Sequence, residues 1–310
     1  MRIAIVGPGA IGCTLGAYLT RGGLDVVLLH RDRESAEALA RSGIRVEGVR
    51  GDLEVEARAA WDAGAVGPVD VMVVAVKACD TAAAMRAHSA AVGPATAVVT
   101  LQNGIGNVEA IAGIVGAQRV LGGTTTMGSW RIGPGRVRHA GEGDTFIGEV
   151  GGGVSERAER IAATLTAAGV PTRAVPDVVL RIWSKLAVNA GINALTALLG
   201  VPNGFVVRDA DADSLLEAAV LEAAAVARAA GVPLDGAQAV SRARDVARRT
   251  AVNRSSMLSD IEAGRRTEID RINGAVARLG ERHGVATPVN AVLAALVRAL
   301  EGARAAEARR

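Results

Sequence analysis

Aromatic side chains are nearly missing from this chain. They make up 2% of the residues, although half of the sequence is hydrophobic, so any core must be assembled from Ala, Val, Leu and Ile. Cysteine is as scarce: Cys13 and Cys79 are the only two, too few for a disulfide framework and without the spacing of a metal site. Both read as small core residues. No apolar run reaches the length of a membrane span, and Met1 leads straight into a strand pattern ending in glycines, where a leader would carry a longer apolar stretch. A cytoplasmic protein without membrane contact is the expectation. Excess charge is also lacking. The net charge is +3 and the pI about 9.4, but the arginines are spread along helical patterns with no interleaved aromatics, which argues against a nucleic-acid surface.

What the chain does have is pattern. Its 310 residues are long for one core and lead us to expect two domains. Residues 2–33 read RIAIVGPGAIGCTLGAYLTRGGLDVVLLHRDR. An apolar strand over 3–6 meets Gly7, Gly9 and Gly12, a helix follows to Arg21, and a second strand covers 26–30. Strand and helix on either side turn a weak GxGxxG match into a strong dinucleotide-binding signal. Gly7 permits the tight turn, Gly9 lets a pyrophosphate approach the backbone, and Gly12 lets the helix pack on the strand. The helix start, through Ala10 and Ile11, offers N–H groups to phosphate oxygens, while Pro8, which has no N–H, only shapes the turn. The end of the second strand selects the cofactor: a carboxylate there accepts the ribose hydroxyls of NAD, whereas an arginine pairs with the 2′-phosphate of NADP. Arg31 favours NADP(H), while Asp32, one residue on, keeps NAD open.

Residues 44–58 alternate apolar and polar around Arg50-Gly51-Asp52, a hairpin pattern. A buried parallel strand over 69–76 ends at Lys77, and another over 96–101 runs into Gln102-Asn103-Gly104-Ile105-Gly106. Ligands gather at the carboxyl ends of such strands. Lys77 and Asn103 therefore stand where they can face the cofactor or the reacting carbon, or else are ordinary strand-end polar residues. Residues 120–148 carry short strands and Gly-Pro-Gly turns, expected to continue the sheet with antiparallel pairs, and His139 among them reads as structural. A helix over 156–168 and a strand over 170–175 close a first domain at residue 176.

The next stretch, PDVVLRIWSKLAVNAGINALTALLGVPNG, reads as one long, largely buried helix between Asp177 and Gly200. Lys185, Asn189 and Asn193 drift only about 80° around it, so they share a face. A buried lysine loses its preference for the charged form and can give up a proton near neutral pH. Two carboxamides beside it can orient a polar ligand without adding charge. The alternative is a snorkelling lysine and asparagines paired with backbone. The remainder is helical, with segments over 211–230, 234–252, 256–262, 267–282 and 288–306, and forms a second domain over 177–310. Arg254-Ser255-Ser256-Met257 offers hydroxyls and helix-start N–H groups to a carboxylate. Thr267-Glu268-Ile269-Asp270 has capping-box spacing, and Glu268 could instead accept a substrate hydroxyl or tune a lysine.

Taken in order, GPGAIG, VKACDT, LQNGIG, KLAVNAGINALTALLGVPNG and SSMLSDIEAGRRTEIDRING give the chain a likeness that runs over nearly its whole length: it resembles the ketopantoate reductase (2-dehydropantoate 2-reductase) family. The resemblance implies an α/β fold, with an N-terminal Rossmann-type dinucleotide-binding domain followed by an all-helical C-terminal domain. It implies NADPH-dependent reduction of ketopantoate to (R)-pantoate in pantothenate synthesis. In that family the lysine matching Lys185 donates the proton. The asparagines matching Asn189, Asn193 and Asn203, with the serine matching Ser256, hold the substrate. Positions matching Arg31, Lys77, Asn103, Gly128 and Glu268 lie at the cofactor, Glu268 also facing the substrate. Pro8 in the glycine loop and Gly128 are mild departures. The expected partner is a small 2-oxo acid, with a homodimer allowed and no metal. Two other readings stand beside this one: a reductase of another small 2-oxo acid, and an NADP(H) sensor without turnover.

Overall fold

The computed structural model describes residues 1–307. The chain forms two compact units, one of residues 1–102 and 107–178, the other of residues 103–106 and everything from Val179 onward. The first unit runs β1 (Arg2–Val6), α1 (Ala10–Arg21), β2 (Asp25–Leu29), α2 (Arg33–Ser42), β3 (Ile44–Gly48), β4 (Leu53–Val55), β5 (Ala59–Ala60), α3 (Ala63–Val66), β6 (Val71–Val74), α4 (Thr81–His88), β7 (Ala97–Thr100), α5 (Asn107–Val115), β8 (Val120–Thr125), β9 (Gly128–Gly133), β10 (Arg136–Gly141), β11 (Thr145–Glu149), α6 (Glu156–Ala167) and β12 (Thr172–Ala174). The main sheet has the order β12-β11-β8-β7-β6-β1-β2-β5. It is parallel from β5 to β8, with β11 antiparallel to β8.

β1 sits inside this sheet because it is apolar on both faces. Ile3 and Ile5 join one core with Leu15 and Leu19 of α1 and Ile161 of α6. Ala4 and Val6 join the opposite core with Met85 of α4 and Ile111 of α5. The strand order reverses at β1, whose neighbours are β2 and β6. In such sheets the crevice at the carboxyl end of that strand receives the ligand.

The hairpin over 44–58 forms, as β3 and β4. The expectation for 120–148 needs correction, because only β8 and β11 extend the main sheet. β9 and β10 instead join the hairpin in a separate sheet of order β4-β3-β10-β9. Its inner face carries Ile44, Val46 and Val137, which pack in the core that holds α1, so burial draws these strands over the helix and away from the sheet edge. His139 is fully buried there, its Nδ1 2.7 Å from the Tyr18 hydroxyl and its Nε2 3.0 Å from the Gly141 carbonyl. Arg50 lies over the Tyr18 ring and makes a two-pronged ion pair with Glu142, both bonds 2.6 Å. The cysteine expectation holds for Cys13 alone: Cys13 is buried, its thiol pushed up to about 11 by burial against the opposing charge of Arg131, while Cys79 is exposed.

The second unit is helical: α7 (Val178–Leu199), α8 (Ala210–Ala229), α9 (Gly236–Arg249), α10 (Ser256–Glu262), α11 (Asn273–His283) and α12 (Pro288–Glu307). Against expectation, α7 is long and apolar enough to cross a membrane by length and composition, yet 72% of its apolar window is buried inside the protein. Its residues Leu186, Ile192 and Leu195 share a core with Leu216, Val220, Val276 and Val297. A buried polar chain fixes its register. Asn273 Nδ2 donates to the Ala190 carbonyl (2.9 Å) and to Asn290 Oδ1 (3.0 Å), and Asn290 Nδ2 donates to the Ala219 carbonyl (2.9 Å) and to Glu222 (2.7 Å). The Glu222 carboxylate also accepts the N–H groups of Val289 and Asn290, closing the start of α12.

The helix expected over 267–282 is split. A 3-10 turn covers Ile269–Arg271, Ile272 leaves the helical region at φ −107 and ψ −98, and α11 begins at Asn273. The capping box is incomplete because its members are claimed elsewhere: the Thr267 N–H donates to Glu301 (2.6 Å), and Asp270 pairs with Arg298 (3.0 Å). Asn103–Gly106, expected within the first domain, groups with the helical unit. Ile105 packs on the helical core and its N–H donates to the Arg271 carbonyl (3.2 Å). The C-terminal run ARAAEARR reads from its charge as a solvated helix end, and its last three residues lie outside the described residues.

Candidate active site

The glycine turn leaves β1 with Gly7 at φ +95, and a Cβ there would lie 2.5 Å from Val76 Cγ1. A Cβ at Gly12 would lie 2.1 Å from the Gly7 carbonyl oxygen, so the helix can pack on the turn only without a side chain. Gly9 differs, since nothing lies within 4 Å of the Cβ it lacks. The packing does not need glycine there, but a ligand approaching the backbone would. Among the described residues no side chain caps α1 at Gly9, which leaves the N–H groups of its first turn, from Ala10 and Ile11, for an anion. The Pro8 carbonyl accepts from the Cys13 thiol (3.2 Å). These residues fit a dinucleotide pyrophosphate.

Past β2, Arg31 and Asp32 sit in different surroundings. The Asp32 carboxylate caps α2, accepting the Ser35 N–H at 2.8 Å, and lies 3.2 Å from His30 Nδ1. The bond from Ser35 is the largest reason its pKa falls below the usual carboxylate value. Arg31 extends outward, its side chain 90% exposed. Lys77 lies half-buried after β6, where its carbonyl accepts the Asp80 N–H (2.8 Å). Gln102, to which the sequence reading gave no role, braces this end of the sheet: its Nε2 donates to the Val76 carbonyl (2.8 Å) and to Thr81 Oγ1 (2.7 Å). A polar residue directly after an apolar strand was the available signal. Gly128 opens β9, where a Cβ would meet Gly141 at 3.4 Å, an ordinary contact.

The second unit brings together Lys185, Glu268 and Asn103. Burial pushes the Lys185 ammonium down to about 8, against the opposing pull of the Glu268 carboxylate. Asn103 Nδ2 donates to Glu268 Oε2 at 3.0 Å and fixes that carboxylate. Further along the same face of α7, Asn189 is half-buried and Asn193 is 6% exposed. Asn203 follows the helix, 8% exposed, with its Nδ2 on Thr250 Oγ1 (2.9 Å) and its buried Oδ1 without a hydrogen-bond partner among the described residues. Such an orphaned acceptor is rare and costly. Ser256 is exposed at the first position of α10, and the cap is its neighbour Ser255, which accepts the Leu258 N–H (3.0 Å) and lies 2.7 Å from Thr196 Oγ1 of α7. Sequence spacing pointed to the Ser-Ser pair without separating cap from free hydroxyl. The set can do acid–base work: an amine tuned toward neutrality, a fixed carboxylate, and carboxamides to orient a polar ligand.

A glycine-turn dinucleotide fold joined in one chain to a helical unit that carries a tuned lysine defines an oxidoreductase of the dinucleotide-binding class. Comparison with known proteins narrows this. The ketopantoate reductase PanE/ApbA model matches residues 3–152, and the model of the C-terminal part of that family matches residues 177–301. The 2-dehydropantoate 2-reductase of Halobacterium salinarum is 42% identical over 299 residues, covering 96% of this chain and 98% of that protein. A ketopantoate reductase structure from Ralstonia eutropha JMP134 superimposes with a TM-score of 0.88 at 34% identity, covering 98% of this chain and 99% of the other. D-mandelate dehydrogenase with NADH and anilino(oxo)acetate superimposes with a TM-score of 0.93 at 27% identity, with the same coverage. The chain belongs to the ketopantoate reductase family.

Proposed function

We propose that this protein reduces 2-dehydropantoate to (R)-pantoate in pantothenate synthesis, with NADPH as the reductant. The observation that carries the reading is Lys185, half-buried on α7 and pushed down to about 8 beside a Glu268 held by Asn103, in a chain similar over 96% of its length to a 2-dehydropantoate 2-reductase. When bound, the nicotinamide supplies a hydride to the carbonyl carbon of the substrate. The carbonyl oxygen then gains negative charge, which the Lys185 ammonium stabilises and neutralises by passing on its proton. Glu268 sets how readily that proton leaves. Asn189, Asn193, the orphaned Oδ1 of Asn203 and the Ser256 hydroxyl hold the hydroxyl and carboxylate ends of the substrate, so that binding becomes alignment. Gly7, Gly9 and Gly12 with the start of α1 hold the pyrophosphate, Arg31 the 2′-phosphate, and Lys77 and Gly128 the neighbouring parts of the cofactor.

Loss of NADPH absorbance with ketopantoate, beside pyruvate, 2-oxoisovalerate, oxaloacetate and phenylglyoxylate, tests the assignment. Ketopantoate should give the highest kcat/KM. The likeness to D-mandelate dehydrogenase favours a second reading, reduction of an aromatic 2-oxo acid, and preference for phenylglyoxylate would select it. Nucleotide binding with no oxidation by any of the five acids would select a sensor.

A further inference from the structure

β9 lies along α1 with its side chains alternating between two faces. Its register sets Ser129 opposite His139 and Arg131 opposite Val137, and both of those partners are buried. Ser129 and Arg131 therefore share the inward face, while Trp130 and Ile132 look outward, 46% and 43% exposed. Ser129 Oγ lies 2.7 Å from Thr14 Oγ1 and 3.3 Å from the Ala10 carbonyl. This face of β9 thus covers the first turns of α1, where the glycine turn ends. Arg131, two residues further on, is exposed. Among the described residues its one hydrogen bond runs from Nε to the Gly133 carbonyl (3.2 Å). Both Nη groups remain for an anion.

Two neighbours report where the guanidinium sits. Its charge acts on the Cys13 thiol near the start of α1 and on His30 just past β2, so it lies within electrostatic reach of the gap between the helix start and the strand end. That gap is where the ribose of a bound dinucleotide lies in this fold. Arg31 extends from the same strand end, and Asp32 is committed to its cap. His30 is held below its ordinary pKa chiefly by burial, so arginine supplies the positive charge there.

The geometry points to Arg131 as a second cation, beside Arg31, for the 2′-phosphate of NADP(H): a specificity-determining residue delivered by the small sheet. It rests on the NADP(H) reading above. A guanidinium with both Nη groups unclaimed matches a phosphate in two-pronged fashion, and a hydrogen-bonded charge of this kind shifts affinity by roughly tenfold.

The test is a fluorescence titration of NADPH and NADH into wild type, Arg131→Gln, Arg131→Lys and Arg31→Ala, with thermal melts and kcat at saturating NADPH. Arg131→Gln should weaken NADPH about tenfold and leave NADH, the melt and kcat at wild-type values, with partial recovery in Arg131→Lys. Equal losses for both nucleotides, or none for either, overturn the role of Arg131. Equal affinity of the wild type for NADPH and NADH overturns instead the NADP(H) reading on which it stands, and Arg31→Ala separates the two: loss of NADPH preference there with an unaffected Arg131→Gln leaves Arg31 as the sole anchor.

Discussion

Replacing Lys185 by Met should make the protein more stable and less active at once. The fall from 10.5 to about 8, at roughly 1.36 kcal/mol per pH unit, means that keeping the ammonium in the folded helical unit costs up to about 3 kcal/mol at neutral pH. The folded pKa lies below the unfolded one, so the unfolded chain binds more protons between them and stability rises with pH in that interval. The cost is full below pH 8, shrinks between 8 and 10.5, and is gone above. Methionine has a similar length and no charge to desolvate, though Glu268 then loses its cationic neighbour, which offsets part of the gain. Urea unfolding of the helical unit at pH 7 should therefore show Lys185→Met more stable by about 1–3 kcal/mol, with the gap narrowing at pH 9.5. Turnover should fall by about 10²-fold or more, the scale of a general acid. In the wild type, turnover should hold below pH 8 and decline as pH rises through it, because the protonated amine is the competent form. A variant that is less stable at pH 7, by an amount unchanged at pH 9.5, would refute the view that the amine is held at electrostatic cost. Near-normal turnover would remove it from the chemistry.

Glu268→Gln deletes the charge that holds the Lys185 pKa up, so the alkaline limb of the turnover profile should move below pH 8; a limb that stays in place would separate the two residues. Gly12→Ala forces a Cβ to 2.1 Å from the Gly7 carbonyl and should destabilise the first unit by about 2 kcal/mol or more. Gly9→Ala, with nothing within 4 Å, should melt like the wild type yet bind NADPH poorly, and normal nucleotide affinity would place the pyrophosphate elsewhere. Ser255→Ala removes a helix cap and the contact with Thr196, a loss of about 1–2 kcal/mol read by urea unfolding. Ser256→Ala should leave stability unchanged and raise the KM for the 2-oxo acid, and the reverse pattern would exchange the roles of the two serines.

Local pattern was enough for β1, the glycine turn, β2, the β3–β4 hairpin and α7, because the length of each apolar run and the glycines and caps that bound it separate short buried strands from a long buried helix, and strict alternation marks the hairpin. It was enough, too, for the face that carries Lys185, Asn189 and Asn193, since helical spacing alone sets that angle. Where residues compete for partners far along the chain, spacing failed. Thr267 and Asp270 have the separation of a capping box, but Glu301 and Arg298 take their bonding groups and the helix starts at Asn273. Burial of Val46 and Val137 in the core that holds α1 drew β9 and β10 into their own sheet and set Arg131 opposite Val137, a position no local pattern encodes. That Asp32 caps α2 and that Ser255 caps α10 turned on which backbone N–H arrived within about 3 Å. One-dimensional order determines which faces are apolar; which polar groups remain unpaired, and so open to a ligand, depends on every other group in the folded chain and is decided only in three dimensions.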